Sequence, residues 1–204
     1  MKKILIILLV ALTSNLYAEP IFQPLNQADL PTKASKISYD DSGKIIELVT
    51  SHWEDRIKTK EGLEYYSYEQ GYNYHKKQGF LKIYTKDGTL VEEKWNTSID
   101  GGVAAEEVLN AFEIIKNNDV IKGHFATTDE AIMLYGGFNF KDDKECVLGR
   151  RCVHVFSSTL NRTVLSHSIV RLTDSKVVYP IFDKKKHQER ISKIENKNQT
   201  KRKL

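Results

Sequence analysis

The chain has 204 residues, 40% of them hydrophobic and 28% charged, a composition that excludes fibrous, collagenous and wholly disordered classes and gives length for one domain or two small ones. The formal net charge of +4 loses its meaning once the charges are placed: Lys2 and Lys3 lie in the first 18 residues, nine Lys and Arg lie against three acids in residues 183–204, and residues 19–182 hold 20 basic and 24 acidic residues. A mildly acidic body with basic ends is not a nucleic-acid footprint, so no nucleic-acid partner is expected.

Residues 1–18 read as a secretory signal peptide. Lys2 and Lys3 form a positive start, Ile4 to Leu12 is an unbroken apolar run, and a short polar stretch closes on Ala18 as the expected cleavage point. Nine apolar residues are about half of the roughly 20 that a bilayer crossing needs, and no later segment is long and apolar enough, so the mature form is expected to lack a transmembrane segment. A periplasmic or secreted location follows. Residues 19–36 contain three of the four prolines, Pro20, Pro24 and Pro31, and read as an extended lead-in.

From Ile37 to Ile99 the chain is a series of short strand-like runs: Lys44–Thr50, Leu63–Tyr68, Phe80–Thr85 and Thr89–Trp95. Gly43, Gly62, Gly71, Gly79 and Gly88 punctuate them at the spacing of an antiparallel meander. Residues 38–47 and 83–92 echo one another, each setting Gly in a polar turn ahead of branched apolar residues. This region also concentrates aromatics. Trp53, Tyr66, Tyr68, Tyr72, Tyr74 and Tyr84 are the candidate ligand-binding residues, because Tyr and Trp offer flat apolar faces with a polar edge suited to a glycan, a peptide or a partner protein. The plainer reading is that aromatics favour strands and pair across them.

The period changes after Gly101-Gly102. Between Val103 and Asn117 the apolar positions Ala104, Ala105, Val108, Leu109, Ala111, Phe112 and Ile115 recur at helical spacing, with Glu106 and Glu107 at the positive end of the helix dipole and Asn117-Asn118 as the stop. Four further strands are expected at Ala131–Phe140, Arg151–Ser157, Leu165–Leu172 and Lys176–Phe182. A hairpin tip at Asn161-Arg162 sets Val153 opposite Val170 and Val155 opposite Ser168 on one face, the natural bed for the helix. Cys152, His154, Phe156, His167, Ile169 and Arg171 face the other way.

Cys146 and Cys152 are the only cysteines, and an oxidising compartment favours a disulfide between such close neighbours, stapling a hairpin loop for roughly 2.4 kcal/mol of chain entropy. A redox pair would read Cys-x-x-Cys and a zinc site would need more ligands, so no metal and no cofactor is expected. The segment from the helix through His167-Ser-Ile-Val-Arg-Leu-Thr-Asp-Ser-Lys-Val-Val-Tyr179 resembles exported PepSY-like and cystatin-like α+β modules over residues 103–182, with Arg171 where the PepSY hairpin has Asp. That resemblance implies a noncatalytic role in binding or in peptidase regulation.

The expected fold class is therefore α+β: an N-terminal antiparallel β-meander (37–99), then one amphipathic helix and a C-terminal antiparallel sheet packed on it (100–182), with a basic tail at 183–204 that is a frayed helix or disordered. The tail is poor in large apolar residues and suited to contact with an anionic surface. None of the familiar catalytic motifs is present. His154 and His167 lie as diagonal neighbours on one sheet face and could seed a metal site or an acid/base pair. No third ligand is apparent, so two unrelated surface histidines is the plainer reading. The functional expectation is a noncatalytic exported protein that binds a protein, peptide or glycan through a sheet surface. The alternatives are a small exported hydrolase using His154 or His167, or a structural envelope module docking through its tail or a sheet edge.

Overall fold

A computed structural model describes residues 20–23, 30–60, 62–99, 101–126, 128–147 and 149–201, with side chains described as far as residue 193. The expected signal peptide, residues 1–18, lies outside the described residues. Strands β1 (Lys36–Tyr39), β2 (Ile45–Thr59), β3 (Gly62–Asn73), β4 (Gln78–Thr85) and β5 (Leu90–Asn96) form one antiparallel sheet in chain order. Helices α1 (Ala105–Lys116) and α2 (Asp119–Phe125) follow. Strands β6 (Ile132–Asn139), β7 (Cys152–Thr159), β8 (Val164–Arg171) and β9 (Lys176–Tyr179) form a second sheet, again in chain order, and helix α3 (Lys184–Lys201) comes last. The fold is mixed α+β with sheet predominating.

The hairpin register expected from the sequence is present: Val153 pairs with Val170, Val155 with Ser168, His154 with Ile169 and Phe156 with His167. The β-branched face of β7 and β8 buries Val153, Val155 and Val170 under Val108, Ala111, Phe112 and Ile115 of α1, with Ile121 and Phe125 of α2 closing the end. Truncating a buried ring such as Phe112 to Ala would cost about 3–5 kcal/mol. On the opposite face Phe140, Cys146, Cys152 and Ile169 make a smaller cluster with Val178, Tyr179 and Phe182. Cys146 and Cys152 are at disulfide distance, their Cα atoms 5.4 Å apart, and close the β6–β7 loop on itself.

Three features depart from the sequence reading. α2 was not expected, because seven residues are too few to show a helical period; Asn117 ends α1 and Asn118 starts α2, the Asn118 side chain accepting the Ile121 N–H at 3.2 Å. The basic tail, for which a frayed helix and disorder both stood open, is helical from Lys184. Asp183 caps it by accepting the N–H groups of Lys185 and Lys186 at 2.9 and 3.2 Å, and His187 is buried against the body. Gly71, read as punctuation, lies inside β3: a Cβ there would come within 2.5 Å of the Phe80 ring, so the residue is small to let Phe80 cross the sheet face.

The echo between residues 38–47 and 83–92 is one turn used twice. Asp40 N–H donates to Lys44 O and Gly43 N–H to Asp40 O, while Thr85 N–H donates to Thr89 O and Gly88 N–H to Thr85 O, all at 2.9 Å. Gly43 and Gly88 adopt φ of 81° and 85°, the left-handed region that closes a three-residue hairpin loop. The β7–β8 turn repeats the pattern, with Thr159 N–H to Thr163 O and Arg162 N–H to Thr159 O at 2.9 Å. There Arg162, at φ 62°, stands where the other two turns have glycine.

The described residues ahead of β1 run extended. Ile21–Gln23 run parallel to the start of β6, joined by Ile132 N–H to Ile21 O at 2.7 Å and Gln23 N–H to Ile132 O at 2.9 Å.

Candidate functional site

Strand register sorts the six candidate aromatics into three places. Across β2, β3 and β4, Trp53 pairs with Tyr68 and Tyr68 with Ile83, while Asp55 pairs with Tyr66. Side chains alternate along each strand, so Trp53, Tyr66, Tyr68, Ile57 and Ile83 share one face. Trp53 and Tyr68 stack in parallel, centroids 5.1 Å apart and planes within 5°, and Trp53 is still 40% exposed. Tyr66 bonds its strand neighbour Glu64, which raises its hydroxyl pKa above the ordinary value. Tyr84 lies on the opposite face, where its hydroxyl donates to Glu69 at 3.2 Å. Tyr72 and Tyr74 are at neither surface and lie at the root of the sheet.

The two faces differ in chemistry. Beside Tyr84, Lys36 pairs with Glu69, and Lys82 with Glu47 at 2.9 Å and Glu93 at 3.7 Å, while Glu54, Arg56 and Lys58 extend the same face outward as exposed charges. The Trp53 face groups its aromatics and isoleucines with fewer charges, Asp55, Glu64 and the Lys94–Glu92 pair at 2.8 Å. Among the described residues no helix packs on either face of the outer half of this sheet: α1 contacts β6 to β9, and Trp53–Lys58 and Leu90–Lys94 are all exposed.

At the root, Tyr74 donates its hydroxyl to Glu107, which is fully buried on α1. Arg151, at the start of the second sheet, binds the same carboxylate through Nε and, at 2.7 Å, through Nη2, which also donates to Gly102 O at 2.8 Å. Burial and then the Glu107 charge hold the Tyr74 hydroxyl well above its usual pKa. Tyr72 donates to Gly149 O at 2.6 Å with the Arg151 guanidinium 5.0 Å over its ring. Tyr72 and Tyr74 thus bind the root of the first sheet to α1 and to the β6–β7 loop, and each also lines a surface cavity, Tyr72 beside Gly149 and Tyr74 beside Glu106. Nothing in the one-dimensional pattern marks Glu107 and Arg151 as partners, 44 residues apart.

The His154–His167 pair is closer than two unrelated surface residues: His154 Nδ1 and His167 Nε2 are 2.8 Å apart and share a hydrogen bond. The rings sit on the side of β7 and β8 away from α1, in a cavity of about 500 Å³ walled by Phe138, Phe140, Phe156 and Phe182 and covered by Lys184, His187, Gln188 and Ile191 of α3. Burial lowers the pKa of both histidines, that of His167 to about 4 with the neighbouring His154 adding to the effect. Both imidazoles are therefore neutral at pH 7. Asp142 lines the same cavity, but Ser166 and Ser168 do not: Ser166 Oγ meets Ser157 Oγ at 2.6 Å and Ser168 Oγ donates to Pro180 O at 2.7 Å, both on the helix side. Sequence reasoning missed the walls of this site because half of them come from α3 and the segment leading into it. Asp183, a helix-capping residue type ahead of a run of lysines, was the available signal.

Among the described residues no group of three or more His, Cys, Asp or Glu is placed to hold a metal ion, and no helix is long and apolar enough to cross a membrane. No protein-family model, curated protein or solved structure matches the chain at a significant level.

Proposed function

We propose that this chain is an exported, noncatalytic binding module that presents the uncovered aromatic face of its five-stranded sheet to a polypeptide or glycan partner. The observation that carries this reading is the sheet face on which Trp53, Tyr68 and Ile83 form a cross-strand row with Tyr66 and Ile57 beside it, Trp53 and Ile57 exposed and, among the described residues, no helix packed over them. An exposed apolar row of this kind is a usual mark of an interaction surface. The leader-like start and the Cys146–Cys152 pair support export. α1 leading into an antiparallel sheet supports the PepSY-like or cystatin-like reading of residues 103–182. The hydrolase alternative gains a real pocket around His154 and His167, but among the described residues its lining holds no Ser, Thr or free Cys to act as nucleophile.

Fluorescence of a Trp95→Phe variant, which leaves Trp53 as the sole indole, tests the binding surface. Titration with panels of extended peptides and of oligosaccharides should quench or shift Trp53 emission for one class, and Tyr68→Ala should weaken that binding about tenfold with little change in stability. Binding that leaves Trp53 unperturbed, or that Tyr68→Ala does not weaken, would refute the proposal. Export is read separately, by mass spectrometry of material recovered outside the cytoplasm. An N-terminus at Glu19 and one intact disulfide are expected, and two free thiols would contradict the compartment.

A further inference from the structure

The cavity under α3 has the size and lining of a small-molecule site, and it is separate from the sheet face assigned above. At about 500 Å³ it lies within the roughly 300–1,000 Å³ of typical ligand pockets, which combine apolar walls with a few convergent polar groups. The walls are rings set at right angles. Phe156 stacks on His167 with centroids 4.2 Å apart, Phe182 stands edge-on to His167 at 5.0 Å and 78°, and Phe140 stands edge-on to His154 at 5.1 Å and 90°. Flat faces meeting perpendicular edges make a slot for a planar ring, since aromatic pairs favour both offset-stacked and edge-to-face contact.

The polar element is the dyad. With both imidazoles neutral, one ring donates its proton to the other. The donor's second nitrogen then carries only a lone pair, while the acceptor's second nitrogen carries its own proton. Whichever way the shared proton points, the dyad offers one donor and one acceptor. His154 Nε2 and His167 Nδ1 make no hydrogen bond to other described residues, and no buried side-chain nitrogen or oxygen is left without a partner, so both atoms are reachable from solvent. A hydroxyl, which both gives and takes a hydrogen bond, matches either nitrogen in either tautomer. A charged group does not suit the site: its walls are phenyl rings, and the two charges in its lining, Asp142 and Lys184, are of opposite sign.

We propose that this cavity binds a small uncharged phenol, its ring in the slot between Phe156, Phe140 and Phe182 and its hydroxyl on the His154–His167 dyad. The test uses the full folded chain at neutral pH, titrated with phenol, anisole and cyclohexanol while aromatic ¹H–¹³C shifts are followed by NMR. Anisole keeps the ring and loses the donor; cyclohexanol keeps the hydroxyl and loses the ring. Saturable shifts confined to the cavity-lining residues are expected with phenol, with each comparator binding about tenfold more weakly. Two conservative variants, His167→Phe and Phe156→Leu, should each weaken phenol binding, and far-UV circular dichroism confirms that they remain folded. The proposal is overturned by the absence of saturable phenol binding in the millimolar range. It is equally overturned by equal affinity for the three probes, or by phenol binding that survives in both variants. Because Trp53 lies on the other sheet, its emission reports on the partner-binding face and not on this pocket, so failure of one reading is distinguishable from failure of the other.

Discussion

Glu107→Gln is the substitution that most directly tests how the two sheets are joined. Glu107 is fully buried, and its carboxylate accepts from Tyr74, from Arg151 Nε, from Arg151 Nη2 at 2.7 Å and from the Ala104 N–H at 3.0 Å. Glutamine keeps the volume but turns one acceptor into an NH₂ group that faces donors, and it takes from the Arg151 guanidinium, itself 5% exposed, the Glu107 charge that it binds at two nitrogens. Breaking a buried ion pair by removing one partner costs about 3–5 kcal/mol. The lost Tyr74 bond, about 1.5–3 kcal/mol for a charged acceptor, overlaps that figure and does not add in full. The expected loss is therefore about 3–5 kcal/mol, read from the urea midpoint with an unchanged m-value. The triple variant Glu107→Leu, Arg151→Met, Tyr74→Phe removes the three side chains together, leaving only the backbone groups Ala104 N–H and Gly102 O to find other partners, and it should be more stable than the single variant, within about 2 kcal/mol of the wild type. A loss below about 1 kcal/mol for Glu107→Gln, or a triple variant no more stable than the single one, would refute this account of the junction.

Arg162→Gly should stabilise the protein: the left-handed conformation at φ 62° costs a non-glycine residue about 1–2 kcal/mol, and glycine's extra chain entropy returns about 0.5–1 kcal/mol of that. A net gain of about 0.5–1 kcal/mol is expected as a higher melting temperature, with Gly88→Ala moving it down; an unchanged or lower melting temperature for Arg162→Gly would argue against the shared-turn reading. Stability should also fall on acidification in a defined window. The pKa values of His154 and His167 are depressed by burial, His167 from 6.5 to about 4, so below pH 6.5 the unfolded chain takes up protons that the native state refuses, and the loss is complete once the pH has passed about 4. Discounted for solvent screening, it amounts to about 1–2 kcal/mol, with Asp142, Lys184 and His187 as the other ionisable groups lining the cavity. His167→Gln should flatten that part of the pH–stability curve measured by chemical denaturation, and a curve equally steep in the variant would assign the titration elsewhere.

What the sequence carried well was local. The alternation of Val153, Val155 and Val170 against His154, Phe156 and His167 specified both register and facing, because a one-residue slip would turn every apolar side chain to the wrong side. The helical period of Val108, Ala111, Phe112 and Ile115 located α1 for the same reason. The length of β2 was not legible, because Trp53 to Lys58 are exposed on both faces and no core imposes a pattern on them. α3 was not legible from its apolar content, since its docking uses His187 against Phe140, Phe182 and Tyr179 and an ion pair from Arg190 to Asp143 at 2.8 Å. Of the candidate site, the sequence placed His154 and His167 on one face but not in one hydrogen bond. The deciding atoms are side-chain nitrogens whose positions depend on rings contributed from residues 140 and 182.

Sheet order that follows chain order has a kinetic consequence. Among the described residues each of the seven strand pairings joins consecutive strands, and six of them close through short connections whose loop-closure entropy is small. Low contact order of this kind speeds folding relative to β proteins built from distant pairings. Closures of longer reach are the parallel pairing of Ile21–Gln23 with the start of β6 and the junction where Tyr74, just beyond β3, meets Glu107 of α1 and Arg151 at the entry to β7. That geometry separates two kinds of event: two meanders that form from local contacts, and a polar junction that fixes one upon the other.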